Sequence, residues 1–263
     1  MSEDLTKAYN LMWIPPRPYV SSMDGDGNFC QPIPDKTVKN VLAIAERNQK
    51  VDVRLWVDSR RIVGEQRQWL ENMVGDCHSN NMSLLDLQSI ADYRDEPLYN
   101  QPDTNLFWRS EKHSLIWRQV DAARILACLE SDFDQVFYSD ADITNLVVDS
   151  PEVQRKLEKQ GVIISAGYFT LDGKLCIENG LFGFDGRKRE FFRKLYDQTV
   201  RDAVNNKLNG YLTYIHLINE LEWKDKIDKK EIIFFASYDE TRASHPGQDK
   251  KEIIEAGFFG ESF

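Results

Sequence analysis

The sequence predicts an α/β fold in which a mixed, mostly parallel sheet is flanked by helices. Helical and strand-like segments alternate along its 263 residues, which is the order typical of such folds. Hydrophobic residues make up 41% of the chain and include 14 Phe, 10 Tyr and 6 Trp, enough to fill a large core. The sequence shows no repeat and no low-complexity linker, so we expect residues 1–263 to form one domain.

Each element is predicted from local pattern. Strands are expected where short apolar runs are bounded by turn residues, at residues 11–14, 51–57, 82–87, 135–139, 162–165, 175–184 and 231–236. Helices are expected where apolar residues recur every three or four positions, at residues 36–47, 66–74, 113–129, 187–205 and 210–221. Ser150 and Pro151 open one more helix, with serine as the cap and proline at the first position. Residues 21–34, 92–110 and 237–263 are polar and are interpreted as loops or irregular chain.

The charge balance excludes one class of partner. Lys and Arg total 33 and Asp and Glu total 43, which gives a formal net charge of −10. Nucleic-acid binding needs an excess of basic residues, so we expect none. A ligand that carries phosphate would need a divalent cation or a local basic group to offset this charge.

Neither a membrane span nor a zinc site is expected. No apolar run approaches the roughly 20 residues that cross a bilayer, and the first ten residues are polar. We therefore expect a cytoplasmic enzyme or a secreted effector. The four cysteines form no Cys-x-x-Cys pair, so reduced thiols are expected.

A pair of aspartates marks the candidate site. Asp140 and Asp142 follow the apolar strand at 135–139, and side chains at i and i+2 in extended chain point to one side. Carboxylates at the carboxyl end of a strand lie where α/β sheets bind ligands, and Mg²⁺ or Mn²⁺ prefers oxygen ligands. The similar pair at 24–26 lacks the glycine that a calcium loop needs, and the pair at 132–134 precedes the strand.

The preceding helix brings further candidates. Trp117, Asp121 and Arg124 are spaced i, i+4 and i+7, so they share one face. One interpretation is an exposed Asp–Arg pair beside a half-buried tryptophan. The other is that aspartate accepts hydrogen bonds from sugar hydroxyls while arginine donates to hydroxyls or phosphate.

These segments together resemble a known family. Residues 117–125 and 136–143 resemble the Asp-x-Asp glycosyltransferases of the GT-A fold, above all the catalytic domains of large clostridial glucosylating toxins and related bacterial effectors. Residues 11–14 resemble the opening strand of that family and residues 55–59 its second strand. Residues 177–181 resemble the strand after the metal motif. The resemblance runs in order over about two thirds of the chain.

The resemblance implies a role for each matching residue. Trp13 would stack on the nucleobase, and Asp121 and Arg124 would grip the donor sugar. Asp140 would contact ribose or sugar and the cation, and Asp142 would be the direct metal ligand. The full implied donor-binding set is Trp13, Asp121, Arg124, Asp140, Asn179, Gly180 and Lys250. The implied catalytic set is Asp140, Asp142, Glu178 and Asn179.

The end of the chain resembles a different branch of the fold. Galactosyltransferase-like and glycogenin-like families use a late histidine as third metal ligand, followed by a Gly-x-x-Lys that binds the diphosphate. His245, Gly247 and Lys250 fit this pattern with a spacing one residue shorter. His245 as an ordinary loop histidine stays open, and Asp239 or Ser244 would then take its place.

Glu178 and Asn179 also resemble a pair found in effectors that add N-acetylglucosamine to arginine. Those enzymes use a histidine upstream of the pair. No histidine lies between Asp142 and Glu178, which counts against arginine as the acceptor.

The resemblance therefore implies a retaining, Mn²⁺- or Mg²⁺-dependent transferase. It would move a hexose or N-acetylhexosamine from a UDP-sugar to an unknown protein or glycan. One alternative is a nucleotidyltransferase, but prolines at 15, 16 and 18 occupy the place of its glycine-rich phosphate loop. Another is a non-catalytic nucleotide-sugar-binding module, against which the intact Asp121, Arg124, Asp140 and Asp142 argue.

Overall fold

The computed structural model describes residues 5–14, 35–62, 65–100, 115–141, 147–165, 167–169, 175–177, 180–204 and 234–235. Within these ranges the strands are β1 (Lys7–Trp13), β2 (Asp52–Val57), β3 (Met82–Asp86), β4 (Gln135–Ser139), β5 (Val162–Ser165), β6 (Gly167–Phe169), β7 (Leu175–Ile177), β8 (Leu181–Asp185) and β9 (Phe234–Phe235). The helices are α1 (Asp35–Arg47), α2 (Glu65–Gly75), α3 (Ala91–Asp95), α4 (Pro97–Asn100), α5 (Leu115–Leu129), α6 (Pro151–Gln160) and α7 (Arg189–Val204).

The main sheet has the order β3-β2-β1-β4-β8-β5-β9. Strand β8 is antiparallel to both of its neighbours, β4 and β5, and the other pairings are parallel. Strands β6 and β7 form a separate antiparallel pair. The predicted mixed, mostly parallel sheet is confirmed.

A hydrophobic core lies on each face of the main sheet. One core packs the sheet against α5 and α7, and the other packs it against α1, α2 and α6. Successive strand residues alternate between the two, as extended backbone requires. In β4, for example, Phe137 belongs to the second core and Tyr138 to the first.

A buried asparagine links three strands at the centre of the sheet. Asn10 of β1 donates from Nδ2 to the Phe137 carbonyl of β4 at 3.1 Å, and its Oδ1 accepts from Trp56 Nε1 of β2 at 2.8 Å. Because all three groups are buried, each bond satisfies a polar atom that water cannot reach. The register of β1 between its neighbours is therefore fixed by side chains as well as by backbone.

Helix α6 shows how local sequence sets an element. The Ser150 hydroxyl accepts from the Val153 amide at 3.3 Å, and Pro151 occupies the first turn. Gly161 ends the helix in the left-handed conformation at φ 71°, which glycine adopts without strain. The start predicted from Ser150 and Pro151 is confirmed.

Two sequence interpretations differ from the structure. Residues 175–184 were expected to form one strand but form two, β7 and β8, which belong to different sheets. The region 92–110 was interpreted as irregular, yet α3 and α4 form at its start, where Tyr93, Leu98 and Tyr99 are buried. The helix predicted at 210–221 lies outside the described residues. In the part of the chain that is described, no helix is long and apolar enough to cross a membrane.

Candidate functional site

The carboxyl ends of four parallel strands meet at one edge of the sheet. Trp13 is the last residue of β1, Asp86 is the last of β3, and Asp58 and Asp140 directly follow β2 and β4. Because β8 runs the other way, its amino end reaches the same edge, with Gly180 directly before it. Ligands of open α/β sheets bind at this kind of edge.

Asp140 is held by contacts from three directions. Its backbone amide donates to the Gly180 carbonyl at 2.7 Å. Its Oδ1 accepts from the Tyr138 hydroxyl at 2.8 Å and lies 3.3 Å from Arg124 Nη2. The side chain keeps 25% of its surface exposed, so the carboxylate is fixed in place while part of it still faces solvent.

Arg124 joins Asp140 to the preceding helix. Its Nη1 lies 3.6 Å from Asp121 Oδ1, and the two side chains are only 7% and 14% exposed. The guanidinium carbon lies 5.5 Å from the centre of the Tyr138 ring, within range of a cation–π contact. The interpretation of Asp121 and Arg124 as an exposed surface pair is therefore wrong, and Arg124 links Asp121 to the carboxylate that follows β4.

The protonation of Tyr138 supports this arrangement. Burial raises the pKa of Tyr138 well above its ordinary value, Arg124 partly opposes that rise, and the hydrogen bond to Asp140 adds to it. The phenol therefore keeps its proton at physiological pH and acts as a donor to the Asp140 carboxylate. The neutral Tyr138 hydroxyl and the positively charged Arg124 guanidinium thus both contact the same carboxylate oxygen, Asp140 Oδ1.

Trp13 lies half-buried at the end of β1. It packs against the core of the α1–α2–α6 face, as Ala141 does. Its register partner is Val57, which in turn pairs with Asp86, so the three residues form a row across the edge. Stacking of Trp13 on a nucleobase stays a prediction.

Several residues singled out from the sequence lie outside the described residues: Asp142, Glu178, Asn179, Asp239, Ser244, His245, Gly247 and Lys250. Their placement and roles remain predictions. The structure thus brings together Asp121, Arg124, Asp140 and the Gly180 backbone.

The described residues bear on the predicted metal site through Asp140. Among the described residues no group of three His, Cys, Asp or Glu side chains could hold a metal. Asp140 contributes a partly exposed carboxylate, the kind of ligand that Mn²⁺ and Mg²⁺ take. The chemistry of Asp140 fits such an ion, and the other predicted ligands lie outside the described ranges.

A buried cluster beside the site was missed by sequence reasoning. Asp58 accepts from Tyr93 at 2.9 Å, from Gln88 at 3.1 Å and from the Arg60 amide and guanidinium at 3.0–3.1 Å. The Arg61 Nε lies 3.4 Å from the same carboxylate, and the side chains of Arg61 and Asp58 are almost fully buried. In the sequence, residues 55–59 were interpreted only by their resemblance to the second strand of the GT-A family. A carboxylate that ends a strand and is followed by two arginines is the signal that could have indicated the cluster.

This cluster also supports the helix that carries Asp121 and Arg124. Arg61 Nη2 donates to Gln119 Oε1 at 2.7 Å, and Gln119 Nε2 donates to the Leu98 carbonyl at 2.7 Å. Gln119 lies on α5, two residues before Asp121. The turn after β2, helix α4 and the turn of α5 that carries Asp121 are therefore tied together by buried hydrogen bonds.

Comparison with solved structures agrees with this topology. The chain is similar to the structure of the PaToxG glycosyltransferase, with a TM-score of 0.55 and 14% identity over 86% of this chain and 72% of that chain. It is also similar to a structure described as a transferase, with a TM-score of 0.54 and 13% identity over 87% of this chain and 90% of that one. The fold is GT-A-like. The sequence matches no protein-family model and none of the curated proteins.

Proposed function

We propose that this protein is a glycosyltransferase that takes a sugar from a nucleotide-sugar donor. The observation that carries the proposal is the arrangement at Asp140, where Tyr138 and Arg124 fix one oxygen of a partly exposed carboxylate at the ligand-binding edge. Asp121 stands next to Arg124 on the same helix face. The fold similarity to a glycosyltransferase and to a second transferase supports this choice of chemistry.

The donor would lie across the carboxyl edge of the sheet. Trp13 stacks on the base, while Asp121 and Arg124 bind hydroxyls of the sugar. Asn179 and Gly180 line the sugar pocket, and UDP-hexose is the proposed donor.

The diphosphate would be bound together with Mn²⁺ or Mg²⁺. Asp140 and Asp142 would hold the cation, with His245 as the proposed third ligand. When bound, such an ion offsets the negative charge that develops on the departing nucleoside diphosphate. Lys250 would add a second positive charge to the same group.

We propose that transfer retains the anomeric configuration. The sugar passes through an oxocarbenium-like state, as in glycoside hydrolysis. Among the described residues, Asp121 and Asp140 both pair with Arg124, which makes either one a poor covalent nucleophile. Attack by the acceptor on the face from which the diphosphate leaves is therefore favoured. The acceptor is a protein or a glycan.

Hydrolysis of a panel of UDP- and GDP-sugars in the presence of Mn²⁺ tests the proposal without knowledge of the acceptor. The native chain is expected to release nucleoside diphosphate from one donor, and chelation of the metal should abolish release. Asp140→Asn and Asp142→Ala are expected to lose this activity. Asp132→Asn is the matched control, since it removes an exposed carboxylate near the opposite end of β4.

The outcomes separate the candidate functions. Metal-dependent donor binding without hydrolysis, seen by calorimetry, would indicate a binding module or an enzyme that needs its acceptor. If the native chain neither hydrolyses nor binds any donor, the transferase proposal is wrong. Equal losses in Asp140→Asn and Asp132→Asn would mean that the carboxyl edge is not the site.

A further inference from the structure

The last two residues of β4 are held from opposite faces of the sheet. Tyr138 points into the core beside α5 and α7, stacks on Phe182 with ring centres 5.2 Å apart, and donates to Asp140. Ser139 points to the other face, as alternation along a strand requires. On that side its Oγ lies 2.7 Å from the hydroxyl of Tyr9. The residue that directly precedes Asp140 is therefore anchored by a side chain of β1.

The register explains why these two hydroxyls meet. Tyr9 pairs with Phe137 across the parallel β1–β4 ladder, and Ser139 lies two residues further toward the carboxyl edge on the same face. The long Tyr9 side chain leans along the strand and spans that distance. Both residues are fully buried, and burial raises the pKa of Tyr9 although Ser139 opposes the rise, so the phenol is neutral.

Stability alone does not call for this pair. Its surroundings are apolar, including Leu11, Val57 and Phe137 of the same core cluster. An apolar pair of the same shape would pack there with little or no loss, because neither hydroxyl would need to be desolvated. The polar pair fixes the strand in one specific position at its last residue, directly before the carboxylate of the site.

We propose that Tyr9 is a positioning residue, which acts through Ser139 to hold the backbone that presents Asp140 to the cation bound with the diphosphate of the donor. This inference rests on the proposed function. Tyr9 contacts no ligand itself. It limits movement of the strand end from the face opposite to Tyr138, so that Asp140 keeps its place when a highly charged ligand binds.

The test is a double-mutant cycle read by calorimetry. Tyr9→Phe keeps the ring that fills the core and removes only the hydroxyl, while Ser139→Ala removes the partner. The probes are UDP and GDP, each titrated with Mn²⁺ present, and thermal unfolding is recorded for every variant. Loss of a group that orients a ligand-binding side chain typically weakens binding by 10–100-fold, so each single variant is expected to raise the Kd about tenfold. The double variant is expected to raise it no further, because the two hydroxyls act as one unit.

A control separates positioning from core stability. Ile163→Val removes one methyl group from the same core on β5, which lies two strands from β4 and three from β1, and is expected to lower the Tm without changing the Kd. An unchanged Kd in Tyr9→Phe overturns the inference, as do additive effects of the two substitutions. If the native chain binds neither nucleotide, the proposed function fails and this inference fails with it. Binding by the native chain with equal Kd in all variants refutes the inference alone.

Discussion

Replacement of Asp58 by asparagine tests whether the buried cluster beside the site stabilises the fold. The substitution keeps size and shape but removes the negative charge that faces the guanidinium groups of Arg60 and Arg61. It also turns part of the acceptor into an NH₂ group, which then faces donors from Tyr93 and Gln88. An asparagine at this position cannot accept from all of them, so buried donors would be left unsatisfied.

The magnitude follows from the burial of the pair. Asp58 and Arg61 are 0% and 1% exposed, so the substitution would remove a buried negative charge that faces the Arg61 guanidinium. Removal of one partner from a buried ion pair costs about 3–5 kcal/mol. Arg60 stays 28% exposed and can be solvated, which favours the lower end of that range. At about 2–4 °C per kcal/mol for a chain of this size, the Tm is expected to fall by about 10 °C.

The assay is urea and thermal denaturation at pH 7, with Glu71→Gln as the matched control. Glu71 pairs with Arg67 on α2, but these side chains are 45% and 57% exposed, so the same acid-to-amide change should cost less than about 1 kcal/mol. A loss in Asp58→Asn no larger than the loss in Glu71→Gln would refute the reasoning. It would mean that the free-energy cost of removing these charged groups from water cancels the attraction between them.

The pH dependence gives a second measurement of the same variant. Burial alone would raise the pKa of Asp58, but the hydrogen bonds and charge of Arg60, with the hydrogen bond from Tyr93, hold that pKa below its ordinary value. A lowered pKa in the folded state stabilises the protein above the pKa of the unfolded chain, about 3.9, and the effect is lost as the pH falls through the folded value. The difference in unfolding free energy between native and Asp58→Asn chains should therefore be constant from pH 7 to about pH 5 and shrink below about pH 4.

Two further substitutions have definite expected outcomes. Tyr138→Phe removes the hydroxyl that donates to Asp140, while the ring still packs in the core. The Kd for UDP in the presence of Mn²⁺ should therefore rise about tenfold with little change in Tm. An unchanged Kd in calorimetry would contradict the role of that hydroxyl. Gly183→Ala would place a Cβ 2.6 Å from the ring of Phe137 on the neighbouring strand. This overpacking should lower the free energy of unfolding by about 1–3 kcal/mol in denaturation experiments. A Tm equal to that of the native chain would show that the ring can move aside.

The sequence predicted the parts of the site that depend on local spacing. Asp121 and Arg124 were expected on one helix face, and Asp140 was expected at the end of an apolar strand. Both patterns are set by backbone periodicity, which a single sequence displays. Their meeting follows because the helix leads directly into that strand.

The parts that were missed depend on contacts between distant residues. Asp58 is bonded to Tyr93, 35 residues further along the chain, and no periodic pattern encodes such a pair. Helices α3 and α4 are only five and four residues long, so they depend on the burial of residues such as Tyr93 rather than on their own propensity. The antiparallel direction of β8 could not be predicted either, because a short apolar run such as Leu181–Asp185 has the same pattern in either direction.

The sheet topology has a consequence for the order of folding. Strands β1, β2 and β3 come from the first third of the chain, whereas β4 pairs with β1 much later in the sequence. Directly before this pairing, Thr6 bonds to Asp134, 128 positions further along the chain. Loop closure over such a distance is slow, so we expect the three-stranded part to form first and β4 to join it later. Trp13 ends β1, the strand expected to form early, and Asp140 follows β4, the strand expected to join later. The proposed donor site is thus assembled by the same event that completes the sheet. We expect a chain that has lost the β1–β4 pairing to lose nucleotide binding while much of its secondary structure persists.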